Sequence, residues 1–286
     1  MTELSSSFLV VILGVASAAA WGTADFSGGI ASRRAPLLGV LFFGQMAGMA
    51  AAAALWAIRG EAVPTGADLA WSIAAGVAGW FALGCLYRGF QVGRMGVVAP
   101  VSGALGAAIP VVVGMLIQGV PPPIAIAGIV LAVVSIVLVS FVADDRSRGP
   151  SGLPWALGAA VGMGTYNVLV NQISDGHVAG PLTILRLVQV VLGAVAIAAA
   201  RRPWRIPPPA RRIVVTAGVL DMAGNVFFIG ALQVGALAIA SVLAALYPVV
   251  TLLLAIAILR ERITGAHAFG VIAAVVAIGL IAAGSA

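Results

Sequence analysis

Almost every window of about 20 residues in this chain is apolar enough to cross a bilayer's hydrocarbon core, which is roughly 30 Å thick. A soluble helix buries one stripe and turns a polar face to water, and windows like these have no such face. The chain has 286 residues, 62% hydrophobic and 8% charged, against about half apolar and about a quarter charged in soluble domains. The reading that follows is an all-α polytopic protein of the cell (inner or plasma) membrane, with the lipid bilayer as its permanent partner.

Composition removes whole classes of chemistry. All fifteen basic residues are Arg, so there is no Walker-type phosphate lysine and no lysine to hold retinal or pyridoxal as a Schiff base. The single cysteine, Cys85, excludes an internal disulfide, and with only His177 and His267 beside it no Cys-rich or His-rich metal site is expected. No cofactor is expected either. A sequence pI near 11 suggests nucleic acid at first sight. The arginines, however, sit in short connections beside apolar runs, where membrane orientation accounts for them and no nucleic-acid partner is needed.

The first apolar run ends in Ala-Ser-Ala-Ala-Ala, in the manner of a signal peptide, yet Glu3 precedes it and Arg33 and Arg34 follow it. Those flanks are reversed for a signal peptide, and the run is expected to stay as a membrane helix. Ten spans are expected, near 8–29, 36–58, 69–90, 96–117, 122–142, 153–173, 179–200, 212–233, 236–259 and 265–284. Between them stand breakers: Arg33-Arg34-Ala35-Pro36, Arg59-Gly60-Glu61 with Pro64, Pro121-Pro122-Pro123, Asp144-Asp145-Arg146-Ser147-Arg148-Gly149-Pro150, and an Arg-rich segment from Arg201 to Arg212 with three consecutive prolines.

A constant shift of 142 residues lays Gly22-Thr23 on Gly164-Thr165, Arg59 on Arg201, Gly76 on Gly218, Gln91-Val92-Gly93 on Gln233-Val234-Gly235, Gly128 on Gly270 and Ala132-Val133-Val134 on Ala274-Val275-Val276. Residues 1–148 and 149–286 therefore read as two copies of one five-span unit. An odd number of spans inserts the second copy upside down, and inverted copies enclose a site near the bilayer midplane about which they can rock. With the first residue outside, Arg33, Arg34, Arg94, Arg146, Arg148, Arg201, Arg202, Arg205, Arg211, Arg212, Arg260 and Arg262 all fall inside and only Arg59 falls outside. By the positive-inside bias, both termini are expected on the outer face.

Ionisable residues inside spans mark interior or wet positions. Loops or termini take Glu3, Glu61, Asp68, Asp144, Asp145, Asp175 and Glu261, leaving Asp25 and Asp221 as acids within spans and Arg186 as the one base well inside. Three-and-four spacing puts Gly218, Asp221, Asn225 and Phe228 on one face, and Thr183, Arg186, Gln189 and Gly193 on another. It also aligns Gly76, Trp80, Gly84, Tyr87 and Gln91, and Ser17, Trp21, Asp25 and Gly28. Thr165, Tyr166, Asn167, Asn171, Tyr247 and Thr251 complete an expected cavity wall. Each piece has a structural alternative: Arg186 with Asp221 as a buried ion pair, Asp25 facing interfacial water, the aromatics as packing, Gly44 and Gly48 as close helix contacts, and Pro100, Pro110 and Pro248 as tolerated kinks. Arg186 and Asp221 on opposite walls would point to a zwitterionic ligand.

The two five-helix halves, the Gly-Thr near a polar helix end, and a ninth span running from Ser241 through Tyr247-Pro248 to Glu261 and Thr264, with Gly270 beyond, resemble the EamA branch of the drug/metabolite transporter superfamily. Arg260 stands where that family usually has Gly. The resemblance implies ten helices in inverted repeats and export of amino acids or other small metabolites, including aromatic amino acids as in exporters of the YddG type. On this reading the partner is a small-molecule substrate. Arg186 with Gln189 would meet its carboxylate, Asp221 with Asn225 its ammonium, and Trp21, Trp80, Tyr87, Tyr166, Asn167 and Tyr247 would form its pocket. Asp25 and Asp221 are the carboxylates able to carry a coupling proton; otherwise the protein is a facilitator. A multidrug or cation exporter is the alternative. An intramembrane enzyme is a remote one, since Asp25 and Asp221 lack the Gly-x-Gly-Asp setting of intramembrane aspartyl proteases. A monomer is expected, with a dimer as the other state.

Overall fold

A computed structural model describes residues 3–92, 95–139, 152–201, 203–259 and 265–285. The described residues form eleven α-helices: α1 Glu3–Arg34, α2 Leu37–Arg59, α3 Gly66–Val92, α4 Met95–Gln118, α5 Pro123–Val139, α6 Leu153–Val170, α7 Ala179–Ala200, α8 Pro208–Leu232, α9 Leu237–Ala244, α10 Tyr247–Leu259 and α11 Gly265–Ser285. Gly93, Arg94, the segment with Asp144, Asp145, Arg146 and Arg148, Arg202, and the stretch from Arg260 through Glu261 to Thr264 lie outside the described residues, as do the side chains of Pro100 and His267.

Six helices, α1, α2, α3, α6, α7 and α8, are long and apolar enough to cross a membrane. Four shorter apolar stretches, Leu105–Gln118, Pro123–Leu138, Leu237–Thr251 and Ala268–Ile281, fall where the other four spans are expected. The protein is thus a helical, multi-pass membrane protein. Two boundaries differ from the sequence reading. The first helix continues through Arg33 and Arg34, because nothing before Pro36 interrupts its backbone bonding. The ninth span is broken at Ala245-Leu246 into α9 and α10, since Pro248 has no N–H with which to continue the ladder.

Many large side chains point outward, among them Ile58, Leu116, Val195, Phe269 and Val275, while Ala and Ser recur among the buried residues beside Leu, Ile and Phe. That is the arrangement lipid favours: helices gain nothing by hiding apolar bulk from hydrocarbon, so they associate through small residues that let backbones meet. The principal pairings are α1 with α8, α9 and α10, α6 with α3 and α4, α2 with α7 and α8, α3 with α7, α4 with α9, and α5 with α11. A Cβ on Gly22 would sit 2.5 Å from the Tyr247 carbonyl oxygen and 2.7 Å from Val250 Cβ, and one on Gly164 would sit 3.0 Å from the Gly106 oxygen and 2.7 Å from Ile109 Cβ. Ser17 and Ser135 donate hydrogen bonds across helices to the carbonyls of Gly224 (2.9 Å) and Gly270 (2.7 Å).

One face of the bundle carries a polar network. Glu61, in the α2–α3 connection, accepts the backbone N–H groups of Val178 (3.0 Å), Ala179 (2.7 Å) and Gly180 (3.0 Å), with Arg59 donating to its other oxygen. These are the orphan donors that open α7, and the residue at its N-cap, Val178, has no side chain able to satisfy them. Asp68 is a buried residue of the first turn of α3 and not the loop residue the sequence suggested. Burial would push the Glu61 carboxyl up, but the three backbone donors and Arg59 outweigh it and hold it below its ordinary value of 4.5. A lowered folded value means that the stabilisation is complete above 4.5 and is lost as pH falls through the lower folded value. The melting temperatures of wild type and Glu61→Gln should therefore differ by a constant amount from pH 7 to 5 and converge in more acid buffer.

Candidate functional site

A cavity lies mid-helix among α1, α3, α4, α6, α7, α8 and the α9–α10 break, and encloses about 720 Å³ of space, counting the part open to the outside. Its walls include Trp21, Asp25, Tyr166, Asn167, Arg186, Gln189, Asp221, Asn225 and Tyr247. Those are nine of the eleven side chains singled out from the sequence. Trp80 and Tyr87 stand elsewhere. Gly76, one turn before Trp80, is pressed on α7, where an added Cβ would lie 2.8 Å from the Leu185 oxygen. The face that carries Gly76, Trp80 and Tyr87 is therefore used for helix contact: Trp80 covers Gly193, and Tyr87 covers Gly28 and stacks on Phe90. The α3 residues that reach the cavity are Gly79, Ala82 and Leu83. Tyr87 lines a smaller pocket with Leu41, Gln45 and Asp221.

Arg186 is 1% exposed. Its Nη1 lies 2.7 Å from Asp221 Oδ2 and also donates to Gln45 Oε1. The two charges are bonded to each other and do not face across the cavity from opposite walls. Gln45 is a residue that sequence reasoning missed. A glutamine in mid-span is costly unless partnered, and that signal was available beside Gly44, but α2 offers no polar stripe to draw attention to it. Tyr166 donates its hydroxyl to Asn225 Oδ1, and the Asn225 amide donates to the Asp221 carbonyl of its own helix at 2.6 Å. Trp21 packs on Phe228 with ring centroids 5.4 Å apart, over Gly224.

Two polar atoms of this constellation have no hydrogen-bond partner among the described residues although they are buried: Arg186 Nε, a donor, and Gln189 Oε1, an acceptor. Both residues line the cavity. Leaving such groups unpaired costs about 1–3 kcal/mol each, and a ligand carrying an acceptor and a donor would remove that cost. Asp25, also on the wall, has no cationic partner among the described residues. Of the other residues expected on the wall, Thr251 spends its hydroxyl on the Gly22 and Tyr247 carbonyls, Thr183 on Ala179, and Thr165 is exposed. No group of three or more His, Cys, Asp or Glu able to hold a metal occurs among the described residues.

A multi-pass helical bundle around a buried cavity of mixed charge and aromatic surface is the build of a membrane transporter. Residues 150–283 match the model of the EamA-like transporter family. The second half of the chain is thus similar to this family of the drug/metabolite transporter superfamily, the one the sequence resembles. No curated relative matches. A solved crystal structure is similar to this chain with a TM-score of 0.78 at 17% identity, over 95% of this chain and 97% of its own. At that identity the likeness is one of fold, and it extends across both halves.

Proposed function

We propose that the chain exports small metabolites, foremost amino acids with apolar or aromatic side chains, by alternating access of two inverted five-span halves about the central cavity. The observation that carries the substrate class is the unpaired donor and acceptor, Arg186 Nε and Gln189 Oε1, lining one cavity with the carboxylate of Asp25 and the rings of Trp21, Tyr166 and Tyr247. An amino acid's carboxylate would take the guanidinium edge that Asp221 leaves free, its ammonium would meet Gln189 and Asp25, and its side chain the rings.

The repeat is supported by two features. Exchanging α1–α5 with α6–α11, with α9 and α10 counted as one span, leaves the principal pairings in place: α1–α8 becomes α6–α3, α2–α8 becomes α7–α3, and α1 on α9 and α10 becomes α6 on α4. Five pairs of cavity residues are also 142 positions apart, namely Trp21 and Met163, Asp25 and Asn167, Gly79 and Asp221, Leu83 and Asn225, and Gly103 and Ala245. The backbone is doubled and the chemistry is not, so the cavity has polar and apolar sides with which to orient an asymmetric solute.

A second reading, export of organic cations, is favoured by one observation: Arg186 is already countered by Asp221, which leaves Asp25 as the uncompensated charge. Proteoliposomes decide between them. Purified protein should move phenylalanine or leucine down an imposed gradient and saturate; failure to move any amino acid or related metabolite under any gradient would sink the leading reading. Trp21→Ala and Tyr247→Ala should raise the half-saturating concentration about tenfold, and Trp80→Ala should leave it within about twofold, as measured by competition for uptake. If transport is proton-coupled, Asp25→Asn should abolish the response to a pH gradient while counterflow continues, because Asp25 is the cavity carboxylate free of Arg186.

A further inference from the structure

The polar network on one face joins the two halves, and neither of its carboxylates recurs at the position 142 residues on. Glu61 caps α7 from the α2–α3 connection. Asp68 Oδ1 accepts from both the backbone N–H and the hydroxyl of Ser174, each at 3.0 Å, with His177 Nδ1 3.5 Å from its other oxygen. Gln233 donates to the His177 carbonyl at 3.3 Å, and Gln118 accepts the N–H of Leu237 at 2.8 Å, capping α9 from the first half.

The 142-residue shift takes this arrangement to the opposite face. Gln233 corresponds to Gln91, which donates to the Ser32 carbonyl at 3.0 Å, so the glutamine bridge occurs at both ends. Glu61 corresponds to Pro203 and Asp68 to Ala210, neither of which has a side-chain acceptor. There the α7–α8 connection meets α2 through backbone and apolar contact, with the Trp204 oxygen and the Ile206 side chain against Gly39 and the Trp204 ring stacked on Phe43. Between the carboxylates and the cavity lie Val170, one turn beyond Tyr166 and Asn167, and Leu182, one turn before Arg186, both fully buried. Buried apolar side chains thus separate the two carboxylates from the cavity residues of α6 and α7.

We propose that the α2–α3 connection and the first turn of α3 form a latch, Glu61 and Asp68 being its two hooks, which holds this one face shut and releases both sets of hydrogen bonds together when the cavity opens there. This rests on the alternating-access reading above. One unit of hooks on one face makes the two closed gates unequal, so the chain rests shut at the Glu61 face. The hooks suit that task because a carboxylate on backbone N–H groups at a helix start is held by the local field as well as by hydrogen bonds, and because exposed residues flank both of them, Val63 and Ala67 on one side and Ser174 and Gly176 on the other, so that water can replace their partners once the connections part.

The latch is tested with Leu185→Cys in a Cys85→Ala background, labelled with a membrane-impermeant maleimide applied from the face that carries the α2–α3 connection. Adding Glu61→Gln and Asp68→Asn should raise the labelling rate about tenfold or more. A rate within twofold of the parent, in protein that still unfolds cooperatively, overturns the latch. The converse uses Asp68→Cys with Ser174→Cys: oxidised to the disulfide, the protein should stay unlabelled at Leu185→Cys and should lose transport, and reductant should restore both. Labelling or transport that continues in the oxidised protein also overturns it. If the reduced protein moves no solute, the transport reading fails, and the labelling arm still decides the latch.

Discussion

Replacing Arg186 with Leu is expected to lower amino-acid transport about 100-fold or more and to destabilise the protein by about 3–5 kcal/mol. The second number follows from burial. Arg186 is 1% exposed and holds Asp221 at 2.7 Å, so Leu leaves a carboxylate and the Gln45 oxygen facing an apolar site without their cation. The first follows from chemistry, because the variant removes the donor a substrate carboxylate requires. The double variant Arg186→Leu with Asp221→Leu separates the two effects. A buried ion pair exchanged for matched hydrocarbon is often neutral or better, so stability should return while amino-acid transport does not. Melting temperature and uptake into proteoliposomes, measured on the same preparations, read both. Transport restored together with stability would make the pair structural alone. Efflux of an organic cation that survives the single substitution would favour the second reading.

Gly218→Ala is expected to be among the most damaging single methyls in the bundle, with a cost of about 3 kcal/mol or more. Its Cβ would sit 2.1 Å from the Gly44 carbonyl oxygen and 2.8 Å from the carbonyl carbon, in a contact where neither side is a flexible side chain. The helices would have to part, and the same contact carries Gln45 and Asp221 toward Arg186, with Gly48 directly under the guanidinium. Gly76→Ala, 142 residues earlier, meets the Leu185 oxygen at 2.8 Å and the Val188 side chain, so its cost should be smaller. Gly84→Ala has nothing within 4 Å and should be neutral or stabilising by up to about 1 kcal/mol, as helix propensity dictates. Thermal unfolding of the three purified variants orders them; a Gly218→Ala protein that melts with the wild type would remove close backbone contact from the account of this fold.

Legibility in the sequence divided along physical lines. Cost in hydrocarbon is a property of each residue, so Asp25, Arg186 and Asp221 announced themselves, and helical spacing was enough to group Gln189 and Asn225 with them. Aromatic residues carry no such signal, since lipid and cavity accept them alike. Trp21 and Tyr247 reached the cavity, whereas Trp80 and Tyr87 went to helix contacts, and nothing in their spacing separated the two outcomes. Gln45 was missed for want of polar neighbours on its own helix.

What the amino-acid sequence determined unaided is the membrane as solvent, the helical crossings and the few positions where charge must be hidden, because each follows from the transfer energy of local segments. Which charges meet was decided only in three dimensions. Arg186 pairs with Asp221 and Gln45 because glycines at 44, 48 and 218 let α2 and α8 approach beneath α7. Glu61 caps a helix 117 residues away because the bundle brings their two connections to one face. Contacts between distant segments depend on how helices stack, and stacking is set by shape and backbone approach summed over the whole bundle, which no window of sequence contains.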